Sequence, residues 1–92
     1  GLVVDIQKPD HELRKKIVLN KLEELDNLHP NQIKISKDIQ DFISTEITAS
    51  IRELVGAINR TVSFSRIYNK APNLSETKVI LKAFNKVYTL FS

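Results

Sequence analysis

Apolar residues recur every three or four positions over most of this chain, which is the spacing that lays a single greasy stripe along a helix. The longest such run is Ser36–Ile67, with Ile39, Ile43, Ile47, Ile51, Leu54, Ile58 and Val62 on the stripe. Gly56 is its only weak point, and no proline interrupts it. Unbroken, it predicts one central helix of roughly 30 residues, about 45 Å long. Two features argue for a break near Ser44. Ser44 and Thr45 compete for backbone hydrogen bonds, and the stripe's period of about 3.8 would drift around a straight helix of period about 3.6. The Ile51→Asp change is expected to unfold the domain if the stripe is core throughout.

The flanking segments supply two more helices. Pro9-Asp10 starts the first, with Asp10 as cap and Glu12 at the positive end of the helix dipole. Its apolar positions are Leu13, Ile17, Val18, Leu22, Leu25 and Leu28, and His29-Pro30 ends it. Ser36 caps the central element, with Asp38 in its first turn. Asn73-Leu74-Ser75-Glu76 reads as a capping box, opening a last helix with Ile80, Phe84, Val87, Tyr88 and Phe91 on one face. The fold expected is therefore an all-α antiparallel bundle of three helices, or four if the central one breaks. Residues 1–9 form an N-terminal arm whose Leu2, Val3, Val4 and Ile6 lie along a helix groove, and residues 10–92 form the bundle. Gly1 reads as a cloning remnant, which marks the chain as a piece of a larger protein.

Ninety-two residues make one small domain, marginal in the surface it can bury. There is no cysteine, so disulfides and thiolate metal sites are excluded. No apolar run is long enough to cross a membrane, and the location expected is cytoplasmic, with the nucleus as the alternative. The net charge of +3 is uneven. Residues 1–59 hold eight Lys/Arg against ten Asp/Glu, whereas residues 60–92 hold six against one, Glu76.

Little in the sequence promises catalysis or a cofactor. His11 and His29 stand eighteen residues apart with no cysteine to help them hold a metal. Glu23-Glu24 and Asp38-Asp41 sit on polar faces, Ser50 and Ser63 have no nearby histidine, and two glycines cannot build a phosphate loop. Nucleic acid is disfavoured because the final helix offers only Asn85 beside its lysines and no helix-turn-helix turn is present. The site expected is instead a protein-docking groove on that helix. Lys78, Lys82 and Lys86 form its basic rim and Val79 and Ala83 its floor, suited to an acidic amphipathic helix. A plain solvated face is the bland alternative for these lysines. Self-association through the central helix is the runner-up, and a basic nucleic-acid or lipid module the third reading.

The stretch Phe42–Ile58, FISTEITASIRELVGAI, resembles the opening of focal-adhesion-targeting-like four-helix domains, such as the C-terminal domain of the GIT family of scaffolds. Glu46, Ile47, Ala49, Ile51, Leu54 and Ile58 carry the likeness, and the Val79–Phe91 helix resembles the second helix of that family. ITASIRELVGAINRTV is similar to the corresponding helix of the programmed-cell-death-10 adaptor. The resemblance covers about half of the chain. It implies a scaffold or adaptor domain, of the kind found in cytoskeletal and fungal cell-polarity complexes, that docks short acidic leucine-rich helices.

Overall fold

The computed structural model describes the backbone of residues 10–91 and the side chains of residues 10–82. Four helices follow one another: α1 (His11–Leu28), α2 (Lys37–Glu46), α3 (Ile51–Tyr68) and α4 (Leu74–Phe91). No strand occurs among the described residues. The proposed N-terminal arm, and the side chains of Ala83, Phe84, Asn85, Lys86, Val87, Tyr88 and Phe91, lie outside the described residues.

Local chemistry sets most of the boundaries. Asp10 caps α1, its Oδ1 accepting from the Leu13 N–H at 2.8 Å, and α1 stops at Leu28 ahead of His29-Pro30. Ser36 caps α2 by accepting from the Ile39 N–H. The capping box before α4 closes in both directions: the Glu76 N–H donates to Asn73 Oδ1 at 2.8 Å, and the Asn73 N–H donates to Glu76 Oε1 at 2.9 Å. Asn69 ends α3 in the left-handed conformation (φ 51°), which asparagine tolerates better than most residues.

The central run is two helices, not one. The break falls at Ile47–Ser50, a little beyond the position expected. Ser44 itself is buried in the last turn of α2, its hydroxyl donating to the Asp41 carbonyl at 2.9 Å. Arg14 Nε on α1 donates to the Ser44 carbonyl at 2.6 Å, satisfying an acceptor that the helix end leaves free. Ser50 then starts α3, accepting from the Glu53 N–H at 3.1 Å. The interruption resets the phase, so Ile39, Ile43 and Ile47 meet Leu54, Ile58 and Val62 in one core with Val18, Ala57 and Leu81. Ile51 falls out of that core: in the first turn of α3 it is 46% exposed, so it is not the centre of a buried stripe.

α3 is the hub, in contact with α1, α2 and α4. The connection between α1 and α2 is fastened to it by Ser65. The buried Ser65 hydroxyl accepts from the Lys34 N–H at 2.8 Å and donates to the Lys34 carbonyl at 3.3 Å. The other buried hydroxyls, Thr61 and Thr77, donate to carbonyls four residues back, each at 2.8 Å. The core's polar atoms are thus satisfied, as burial requires.

Candidate functional site

Of the expected groove, Lys78, Val79 and Lys82 fall among the residues whose side chains are described, and Ala83 and Lys86 do not. Lys78 and Lys82 are exposed on α4, where they border a recess of about 400 Å³ with Phe42, Glu46 and Leu81. Val79, expected as floor, is 70% exposed instead. Phe42 and Leu81 line the recess as its apolar residues, and Glu46 places a carboxylate in the wall opposite the lysines. A larger recess of about 630 Å³, between α2 and the turn before α4, is bordered by Asp38 and Asp41 and by no basic residue. Neither has the even positive lining that an anionic partner would favour.

The even lining is on α3. Between Glu53 and Glu76 the chain contains no acidic residue. The buried side of α3 is Leu54, Ala57, Ile58, Thr61, Val62 and Ser65. Helical geometry therefore turns Arg52, Asn59, Arg60, Ser63, Arg66 and Ile67 to solvent. Arg66 Nε donates to the Gln32 side-chain carbonyl at 3.2 Å, and Lys34 Nζ donates to the Asn69 side-chain carbonyl at 3.3 Å. Both cations are held by neutral amides, which position the charge without cancelling it. Lys70 differs, pairing with Glu76 at 2.6 Å. That ammonium, together with the Asn73 N–H, holds the Glu76 carboxyl below the usual carboxylate range, against a smaller opposing push from burial.

Two adjoining recesses lie along this face. One, of about 380 Å³, runs between α3 and α4, with Asn59, Arg60 and Ser63 among its polar residues and Phe64, Ile67, Tyr68 and Ile80 among its apolar ones. The other, of about 340 Å³, lies among Gln32, Ser63, Arg66 and Ile67. Guanidinium, amide and hydroxyl donors without a carboxylate among them suit phosphate oxygens, which only accept. The arrangement offers no acid–base pair. His11 lies 3.3 Å from the Thr45 hydroxyl at one end of α1, and His29 caps the other. Among the described residues no cluster of His, Cys, Asp or Glu could hold a metal, and no helix is long and apolar enough to cross a membrane.

In the sequence this face is marked only by the absence of acids from Leu54 to Ser75, a weaker pattern than the regular spacing of the lysines on the last helix.

No family model matches the chain, and no solved structure matches it. Curated relatives do. The chain is 35% identical over 82 residues to the chromosomal replication initiator protein DnaA of Rickettsia massiliae (strain Mtu5), an alignment covering 89% of this chain and 16% of the relative. The same protein of Rickettsia akari (strain Hartford) matches equally, and that of Rickettsia bellii (strain RML369-C) is 34% identical over the same length. The chain thus spans about one sixth of the length of the relatives it matches.

These relatives overturn the resemblance to focal-adhesion-targeting-like domains and to the programmed-cell-death-10 adaptor. That likeness rested on apolar spacing, which any helix packed in a bundle must show. Its quoted segment, Phe42–Ile58, also crosses the break between α2 and α3 rather than forming one helix. The scaffold and adaptor reading falls with it, as do the cell-polarity and cytoskeletal associations. So does the choice of an acidic helix or a second copy as partner, with nucleic acid disfavoured.

Proposed function

We propose that this chain is a non-catalytic helical part of a chromosomal replication initiator protein, and that the outward face of α3 gives that protein a phosphate-gripping surface for DNA. The observation that carries the first half is the 35% identity over 89% of the chain to replication initiators. The second half is supported by the exposure of Asn59, Arg60, Ser63 and Arg66 on α3 and by the lack of any acidic residue between Glu53 and Glu76. Contacts of this kind hold a nucleic-acid backbone in place and carry no sequence information of their own. DNA replaces protein as the partner class, and the setting is the cytoplasm, where a bacterial chromosome lies.

The experiment is a fluorescence-anisotropy titration of a labelled DNA duplex across a salt series, with the chain and its Arg60→Gln/Arg66→Gln double variant. Both residues are exposed, so circular dichroism should show an unchanged fold. Each phosphate contact contributes about 0.9 to the slope of log affinity against log salt. Removing two contacts should flatten that slope by about 2 and weaken binding at low salt. Equal affinity and equal slope for the two proteins would refute the assignment of this face.

A further inference from the structure

The phosphate face leaves the recesses between α2 and α4 without a role. The larger, of about 630 Å³, has Asp38, Asp41 and Phe42 on one wall and Leu74 on the other. The smaller, of about 400 Å³, sets Phe42 and Glu46 against Lys78, Leu81 and Lys82. Phe42 borders both, so they run together as one groove. α2 packs chiefly on α1 and α3, and α4 on α3, which leaves the sides that α2 and α4 turn to each other with little to cover them. Leu74 is accordingly 47% exposed, and Phe42 is only half-buried. The carboxylates beside these two residues are weakly engaged. Lys15 Nζ stands 4.0 Å from Asp41 Oδ1, the outer limit of an ion pair, and both side chains are open to water.

We propose that the α2–α4 groove is a docking site for a short amphipathic helix of a partner protein, one that carries Lys or Arg beside its apolar residues. Size and charge both argue for this occupant. Asp38 to Glu46 spans about 12 Å of α2 and Leu74 to Leu81 about 10 Å of α4, the length of two helical turns. A helix laid in such a groove offers apolar residues three, four and seven apart. One of them would seat between Phe42 and Leu74, and the next would lie toward Leu81. Asp38 and Asp41, on neighbouring positions of α2, then meet its basic residues. The same carboxylates repel DNA, anionic lipid and an acidic helix, while a metal ion or polyamine would leave Phe42 and Leu74 in water. The groove shares no residue with the recesses of the α3 face, so the proposal stands apart from the DNA reading.

The probe is a designed peptide of about 15 residues with leucines at helical spacing and arginines flanking them, held helical by a side-chain staple because isolated helices this short are marginal. Its control replaces each arginine with glutamate. Both are titrated into the isotope-labelled chain and followed by amide NMR. The basic peptide should shift the amides of Asp38, Phe42, Leu74 and Lys78, and the acidic one should not. Leu74→Ala, at a half-exposed position, should weaken binding roughly 3- to 10-fold. Asp38→Asn/Asp41→Asn should weaken it roughly 2- to 30-fold, and less at high salt. Circular dichroism should show both variants folded. No binding of the basic peptide at about 1 mM, shifts confined to other residues, or equal affinity for the acidic control overturns the proposal. So do variants that bind as the parent does. Groove amides that shift on concentrating the chain alone assign the groove to a second copy, and shifts there with a DNA duplex assign it to DNA; either result overturns the basic helix. The salt series on Arg60→Gln/Arg66→Gln tests the α3 face by itself, so the two readings fail separately.

Discussion

Ser65→Ala isolates the link between the α1–α2 connection and α3. The parent hydroxyl is fully buried and makes two hydrogen bonds to Lys34, at 2.8 Å from its N–H and 3.3 Å to its carbonyl. Alanine keeps the helix and nearly the same volume, so packing contributes little. The loss has two parts: two modest bonds, and an N–H left without its acceptor. Single bonds of this kind are worth about 1 kcal/mol and an abandoned buried donor about 1–3 kcal/mol, which places the cost near 2 kcal/mol. For a domain of this size each kcal/mol moves the midpoint by about 4–8 °C, so the melting temperature should fall by about 8–16 °C. The site-specific readout is amide hydrogen exchange: the Lys34 N–H should lose protection while the amides in the middle of α3 keep theirs. A melting temperature within about 2 °C of the parent, with Lys34 still protected, would refute the reasoning.

Two further substitutions probe the core and the start of α4. Leu54, with no exposed surface, should cost about 2–5 kcal/mol as Leu54→Ala. Ile51→Asp should leave a folded protein within about 1 kcal/mol of the parent, because Ile51 is 46% exposed and an acid suits the first turn. Urea denaturation checks the pair, and an unfolded Ile51→Asp would restore that residue to the core. The Glu76 carboxyl is held below its ordinary value by Lys70 and the Asn73 N–H, so the unfolded chain takes up the proton first as pH falls. Its stabilising contribution is full above the unfolded value of about 4.5 and disappears as pH drops through the lower native one. The difference in melting temperature between the parent and Glu76→Gln should be largest near neutrality and shrink in acid, and a difference that does not change with pH would count against the pairing.

The helix ends were legible because their chemistry is local. Asp10, Ser36 and the Asn73/Glu76 box each act on backbone groups within three residues, so residue types at fixed offsets carry the information. The break was placed early because Ile47 and Ile51 continue the apolar spacing across it. Ser50 and Glu53 carried the signature of a helix start, but the reset of phase depends on which helices cover the stripe, a tertiary matter. The same limit hid the candidate site. Which side of α3 meets solvent is fixed by α1, α2 and α4 together. Spacing alone left the arginines of α3 without a face, while the regularly spaced lysines of α4 drew the attention.

The Ser65–Lys34 bonds join residues 31 apart and so close a ring that contains the whole of α2 and the break after it. Drawing together the ends of a loop that long costs about 3 kcal/mol beyond a constant, more than two such bonds supply on their own. The ring must therefore be closed by the apolar contacts of Ile39, Ile43 and Ile47 with Leu54, Ile58 and Val62. Apolar contact has no direction and would tolerate α2 sliding or turning on its neighbour. The serine does not drive the collapse; it selects, among the collapsed arrangements, the one register in which Lys34 meets a hydroxyl.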